Sequence, residues 1–312
     1  MSPASPSHAR TGALFCLASA AGFGAMGVFG KLAYDAGATV GTLLAVRFVL
    51  AAAVLWGFVL VTGRGGEVLA LPRRDALMAL ALGAIGYSAQ AGAYFAALDR
   101  LDASLLALLL YTFPVIVTVA AVALGREAFS SRTAFALLLA CGGLVLVLAG
   151  AASGALDGLG TALGLTAAIV YSAYILVSEG VTRRVSPLAL STLVCTGAAF
   201  TLSVVGAVDG SLRLGEVSAG GYGWIAAIAG VSTVGAVGLF FAGLSRVGPS
   251  ATSILSTLEP VVTVTLAFAV FGESFSPAQL LGGMLVLSAV IVVRIATQPI
   301  ERAPAAVAVE AG

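Results

Sequence analysis

One stretch of this chain is written twice. Leu98 to Ser130 aligns without a gap on Leu244 to Ser276 at a constant offset of 146, and 11 of the 33 positions are identical. Among them are Arg100/Arg246, Ser104/Ser250, Pro114/Pro260, Glu127/Glu273 and Phe129/Phe275. In a chain this rich in Ala, Leu and Val, roughly a tenth of positions would match by chance, so the excess marks an internal repeat. Whatever one half folds into, the other half must fold into as well.

The medium follows from composition: 60% of residues are hydrophobic and 9% are charged, with most charges between apolar runs. A helix rises about 1.5 Å per residue, so about 20 apolar residues cross the roughly 30 Å hydrocarbon layer of a membrane. Ten such runs are present. The first half has Leu14 to Gly30, Thr39 to Val61, Ala76 to Leu98, Ala103 to Leu124 and Thr133 to Ala149. The second has Gly160 to Ser178, Leu188 to Val208, Gly221 to Leu244, Ser250 to Phe271 and Gln279 to Arg294. An odd number of spans per copy makes the copies enter the membrane in opposite directions. The expected fold is therefore an all-α integral membrane protein of ten transmembrane helices, arranged as two inverted-topology five-helix repeats. Residues 11–150 and 157–297 form the repeats, and 1–10 and 298–312 are short cytoplasmic tails.

Basic residues collect on the cytoplasmic side of short loops. With the N-terminus inside, 11 of the 15 Lys and Arg residues fall on cytoplasmic segments, 3 outside (Lys31, Arg100, Arg213), and Arg47 within a span. This predicts a cytoplasmic membrane protein with both termini inside. The first run resembles a signal peptide, with Arg10 before it and Ala18-Ser19-Ala20 within it, but its repeat partner is internal, so it is read as retained.

Several chemistries have no support. Gly22-Phe23-Gly24-Ala25-Met26-Gly27 spells a dinucleotide fingerprint but lies in an apolar run with no strand before it, so close helix packing through small residues is the better account. Cys16, Cys141 and Cys195 lack metal or redox spacing and read as small buried residues. The one histidine, His8, is in the N-terminal tail, so no catalytic triad or metal site can be assembled and no cofactor is expected. A net charge of +1 with dispersed basic residues gives no basis for nucleic-acid binding.

Polar groups at membrane depth are costly and point to function. Thr252, Ser256, Glu259 and Thr263 share one face of the ninth run, whereas their repeat counterparts are Leu106, Leu110, Phe113 and Val117. An ionised carboxylate at such depth costs about 2.5–3.5 kcal/mol, so Glu259 faces protein or water. It serves either a cavity or, protonated, as glue to a neighbouring helix. Pro260, matched by Pro114, removes a backbone donor and kinks its helix. Tyr87, Gln90 and Tyr94 share a face of the third run, and Tyr171, Tyr174 and Ser178 a face of the sixth. Such faces line a passage or form an interfacial aromatic belt. Arg47 either snorkels, pairs with an acid or attracts an anionic group, with pairing or snorkelling preferred over substrate contact, and Lys31 is read as interfacial.

These residues resemble a known family. The run Val46-Arg47-Phe48-Val49-Leu50, and in each half a proline-containing span closed by a glutamate, are similar to the two modules of EamA-type transporters of the drug/metabolite transporter superfamily. The stretches are Phe113-Pro114-Val115 through Gly125-Arg126-Glu127 and Leu258-Glu259-Pro260 through Phe271-Gly272-Glu273. The resemblance covers residues 11–297. It implies a carrier that moves small metabolites, commonly exporting amino acids or related compounds, by alternating access. Spans one, three, four, six, eight and nine would surround the cavity, with five and ten outside. Glu127 and Glu273 are read as span-end caps or gates.

The expected function is export of a small-molecule substrate across the lipid membrane. Candidate cavity residues are Glu259, Ser256, Thr252, Thr263, Tyr94, Gln90, Tyr171 and Tyr174, with protons as a possible coupling ion and a homodimer as a possible assembly. The alternative is a non-transporting scaffold or an intramembrane lipid-modifying protein; an enzyme would need acids or histidines clustered near one interface, and Glu259 stands alone.

Overall fold

The computed structural model describes residues 6–124, 131–151, 157–182, 184–240, 242–243, 246, 255–256 and 258–296. Helix is the only regular secondary structure among them. Six helical segments are long and apolar enough to cross a membrane: Arg10–Asp35, Val40–Val61, Arg73–Leu98, Gly158–Ser178, Pro187–Val208 and Ala219–Phe240. Shorter apolar helical stretches, Ala103–Val117, Ala134–Val147, Leu258–Phe271 and Pro277–Ala289, occupy the expected fourth, fifth, ninth and tenth segments. Helix already begins at Pro6, inside the expected N-terminal tail, because proline suits a first turn whose N–H groups have no partner.

The segment ends carry local signals. Thr39 and Ser186 cap the second and seventh helices by accepting from the N–H of Thr42 and Ala189. Gly63 and Gly210 follow the same two helices with φ of +69° and +74°, the left-handed conformation that ends a helix and strains any side chain with a Cβ. Asp157 starts the sixth helix: its Oδ1 accepts from Gly160 N at 2.6 Å. Across that junction its Oδ2 pairs with Arg100 at 3.2 Å. The N–H of Gly160, with lesser help from Arg100, holds the Asp157 carboxyl below the usual carboxylate range.

Packing reveals how the halves are related. The second segment packs on the seventh and the fifth on the tenth, each with its own repeat equivalent. The fourth also meets its equivalent, the ninth, and other contacts come in exchanged pairs: third with sixth and eighth with first, fourth with sixth and ninth with first. Equivalent helices run antiparallel. Thr42 meets Ser211 while Trp56 Nε1 donates to Thr196 at 3.0 Å. Along the other pair, Gly143 packs on Gly282 and Gly150 on Gln279. Equivalent elements that meet head to tail require a two-fold axis across the helices, which is the inverted relation expected from an odd repeat.

Without water to expel between helices, close backbone approach supplies much of the cohesion. A Cβ on Gly143 would lie 2.6 Å from the Gly282 carbonyl, and one on Gly282 would lie 2.5 Å from the Gly143 carbonyl. Larger side chains fill what remains, with Phe48, Phe95, Leu98 and Leu106 fully buried together. Cys16 and Cys195 are buried as expected, but Cys141 is exposed. It lies on the outer face of the fifth helix, where a thiol, being weakly polar, can meet lipid.

The helices nearest the axis are interrupted. The first divides at Ala25 into Pro6–Gly24 and Met26–Asp35, and the fourth breaks at Tyr111–Thr112 between Ala103–Leu110 and Phe113–Ala123. Pro114 and Pro260 lie in the first turns of Phe113–Ala123 and Leu258–Phe271, where their missing N–H costs least. The third and eighth segments widen into π turns at Leu82–Tyr87 and Ile228–Gly235, starting 146 residues apart. In each, a hydroxyl satisfies a carbonyl five residues back: Ser88 donates to Gly83 at 2.9 Å and Thr233 to Ile228 at 3.0 Å.

Candidate functional site

A cavity of about 380 Å³ opens among these interrupted helices. Its walls come from the first, third, fourth, sixth, eighth and ninth segments plus one side chain of the second, while the fifth and tenth contribute none. Repeat equivalents face each other across it: Tyr94 and Phe240, Leu110 and Ser256, Phe113 and Glu259, every pair 146 apart. The cavity therefore straddles the axis that relates the halves. The offset that revealed the repeat, applied to the polar stripe of the ninth segment, gives two of these pairs.

Glu259 is the acidic group of this wall. It stands in the first turn of Leu258–Phe271, where exposed N–H groups favour a negative charge. The Tyr111 hydroxyl lies 3.0 Å from Glu259 Oε2 and 2.8 Å from the backbone oxygen of Ser256, sharing its proton between them. The ninth helix comes this close because the first one yields at Gly24, where a Cβ would fall 2.6 Å from the Glu259 carbonyl. The glycine-rich stretch is thus a packing surface, as its apolar context suggested.

Arg47 corrects its sequence reading. It neither snorkels nor forms an ion pair among the described residues; its side chain is 1% exposed and its head borders the cavity. Nε donates to Thr233 Oγ1 at 3.1 Å, in the π turn of the eighth segment. The guanidinium lies 4.8 Å and 5.3 Å from the ring centroids of Phe48 and Phe95. Stacking and side-chain hydrogen bonds to Thr233 and Tyr87 hold the cation in place without neutralising it.

Of the candidates read from sequence, Glu259, Ser256, Tyr94, Gln90 and Tyr171 line the cavity. Tyr174 stands behind it, stacked on Tyr87 and Tyr171 at centroid distances of 5.8 Å and 6.5 Å. Tyr87 itself reaches the wall. Thr263 instead bridges helices: its hydroxyl lies 2.8 Å from the Gly24 carbonyl and 3.1 Å from that of Glu259. Thr252 lies outside the described residues, as does Glu127. Sequence reading missed Tyr111 and Phe113, which carry no polar periodicity within an apolar run.

Some 20 Å farther along the ninth segment, Glu273 joins three helices. Its Oε1 and Oε2 accept from the N–H of Ala103 and Ser104, each at 3.1 Å. Lys31 approaches Glu273 at 3.4 Å and Asp102 at 3.5 Å. Asp102 does not cap its own helix, so a carboxylate from the other half supplies the cap.

Comparison with known proteins agrees with this architecture. The model of the EamA-like transporter family matches residues 10–149 and again 158–295. The chain belongs to the EamA-like transporter family. It is a multi-pass membrane transporter rather than an enzyme. An uncharacterized transporter of Bacillus subtilis, YcbK, is 25% identical over 281 residues, covering 88% of this chain and 90% of that one. An uncharacterized transporter of Archaeoglobus fulgidus is 28% identical over 200 residues, covering 64% and 70%. A solved crystal structure of a protein at 16% identity superposes with a TM-score of 0.65 over 91% of this EamA-like chain and 98% of its own, a likeness of fold.

Proposed function

We propose that this EamA-like protein is a secondary transporter that exports small metabolites such as amino acids or related compounds from the cytoplasm, with the axial cavity as its substrate site. The observation that carries the reading is Glu259, an acid facing a cavity on the two-fold axis of an inverted repeat. A site on that axis is presented to either side by rocking one half against the other, without being rebuilt.

In this reading the Glu259 carboxylate holds either a substrate ammonium group or a proton. Substrate leaving outward frees the carboxylate to take a proton, and the proton is released inward when the next ammonium binds, so export runs on the proton gradient. The Glu273 clasp with Lys31 and the start of the fourth helix serves as the outer gate. Positive charge on the opposite loops supports cytoplasmic termini.

Flux of a mixed amino-acid and metabolite pool from proteoliposomes, with and without an imposed pH gradient, tests this. Gradient-driven loss of one amine-bearing solute class, abolished in Glu259→Gln, is the expected result. Equal flux with and without the gradient removes the proton role, and absence of flux from folded protein for every solute in the pool overturns the export reading.

A further inference from the structure

The cavity carries two charges of opposite sign, and only the negative one enters the reading above. Arg47 is buried in protein, and no carboxylate of the described residues lies within 4.0 Å of it. A buried cation without a counter-ion is strongly disfavoured unless its geometry is held by other contacts. Here those contacts include the Thr233 hydroxyl on Nε, a side-chain hydrogen bond with Tyr87, and the faces of Phe48 and Phe95. They fix the plane of the guanidinium while leaving its charge uncompensated. Arg47 borders the same cavity as Glu259.

We propose that Arg47 is the anion anchor of the transport site, so that the substrate is a zwitterion whose carboxylate binds Arg47 while its ammonium group faces Glu259. A planar guanidinium suits a carboxylate because two parallel N–H···O bonds can form at once. The same cavity is lined by the rings of Phe23, Phe113, Tyr94 and Tyr171. The third substituent of the substrate is therefore apolar, packed on aromatic faces. Amines without a carboxylate leave Arg47 unpaired and bind weakly, and carboxylates without an amine do the same to Glu259. This assignment rests on the cavity being the transport site and adds the side chain that holds the substrate carboxylate.

Equilibrium binding in detergent micelles tests it independently of transport, using leucine, leucinol, which lacks the carboxylate, and isocaproate, which lacks the amine. For wild-type protein, leucine binds about ten- to a hundredfold more tightly than either relative, the worth of one charge-assisted contact. In Arg47→Gln, leucine falls to the level of leucinol while leucinol itself is unchanged, which also shows that the variant is folded. Arg47→Lys restores part of the difference. The assignment is overturned if leucinol matches leucine on wild type, if Arg47→Gln weakens both alike, or if none of the three binds. Binding with the expected pattern but no flux in liposomes would sink the transport reading and leave the zwitterion site standing.

Discussion

At the scale of single residues, the wall around Glu259 is set by a glycine as much as by the acid. Gly24 lets two helix backbones meet where the carboxylate leaves the chain. Gly24→Val should therefore push the ninth helix off the first, costing about 1–3 kcal/mol in thermal unfolding of the purified protein. It should also weaken substrate binding although no cavity side chain has changed. An unaltered melting curve would contradict the close approach. Glu259 and the cavity tyrosines Tyr94 and Tyr171 were legible in the sequence because polar residues are scarce at membrane depth. Arg47 was visible but misread: a cation eight residues into a span looks the same whether it pairs, snorkels or waits for an anion. Only the fold places Thr233, Phe48 and Phe95 around it. Tyr111 was hidden for the opposite reason, since its polar role is made by Glu259, 148 residues away.

At the scale of elements, the Glu273 clasp makes the start of the fourth helix depend on the end of the ninth. With the clasp as the proposed outer gate, opening breaks two hydrogen bonds to a charged acceptor and separates it from Lys31. Hydrogen bonds to charged groups are worth about 1.5–3 kcal/mol each. Replacing Glu273 should thus raise the open population about tenfold or more. The measurement is the rate at which a membrane-impermeant maleimide, added on the Lys31 side, labels a cysteine at Ile175 in a background lacking Cys16, Cys141 and Cys195. Labelling should quicken from wild type to Glu273→Gln to Glu273→Ala; equal rates would show that the clasp is not what keeps the mouth shut. The span-end role of Glu273 was readable from its place in the module, but its partners were not. Nor were the π turns, because widening a turn leaves the apolar composition of a helix unchanged.

At the scale of the whole molecule, one exposed contact ties the halves together in sequence: Asp157 opens the second half and pairs with Arg100 of the first. Because its carboxyl is held below the usual range in the folded protein, its contribution is present in full above the ordinary carboxylate pKa and is lost as pH falls through the lowered folded value. Asp157→Ala should lower Tm by about 2 °C at neutral pH, and the difference from wild type should vanish in strong acid; a difference that persisted there would show that the charge is irrelevant. The inverted plan was legible from an odd repeat and the bias of arginines between loops, since both are properties of the whole chain. The axial position of the cavity emerged only when equivalent residues were found facing one another. The two π turns carry a final implication, about time. An added residue that sits in the same turn of both halves, starting at Leu82 and at Ile228, is explained by one insertion in an ancestral half-length gene, whereas separate insertions would need the same accident twice. Glu259 has no such twin, for its counterpart is Phe113. The widened turn is common to both halves, whereas the charge belongs to one of them alone.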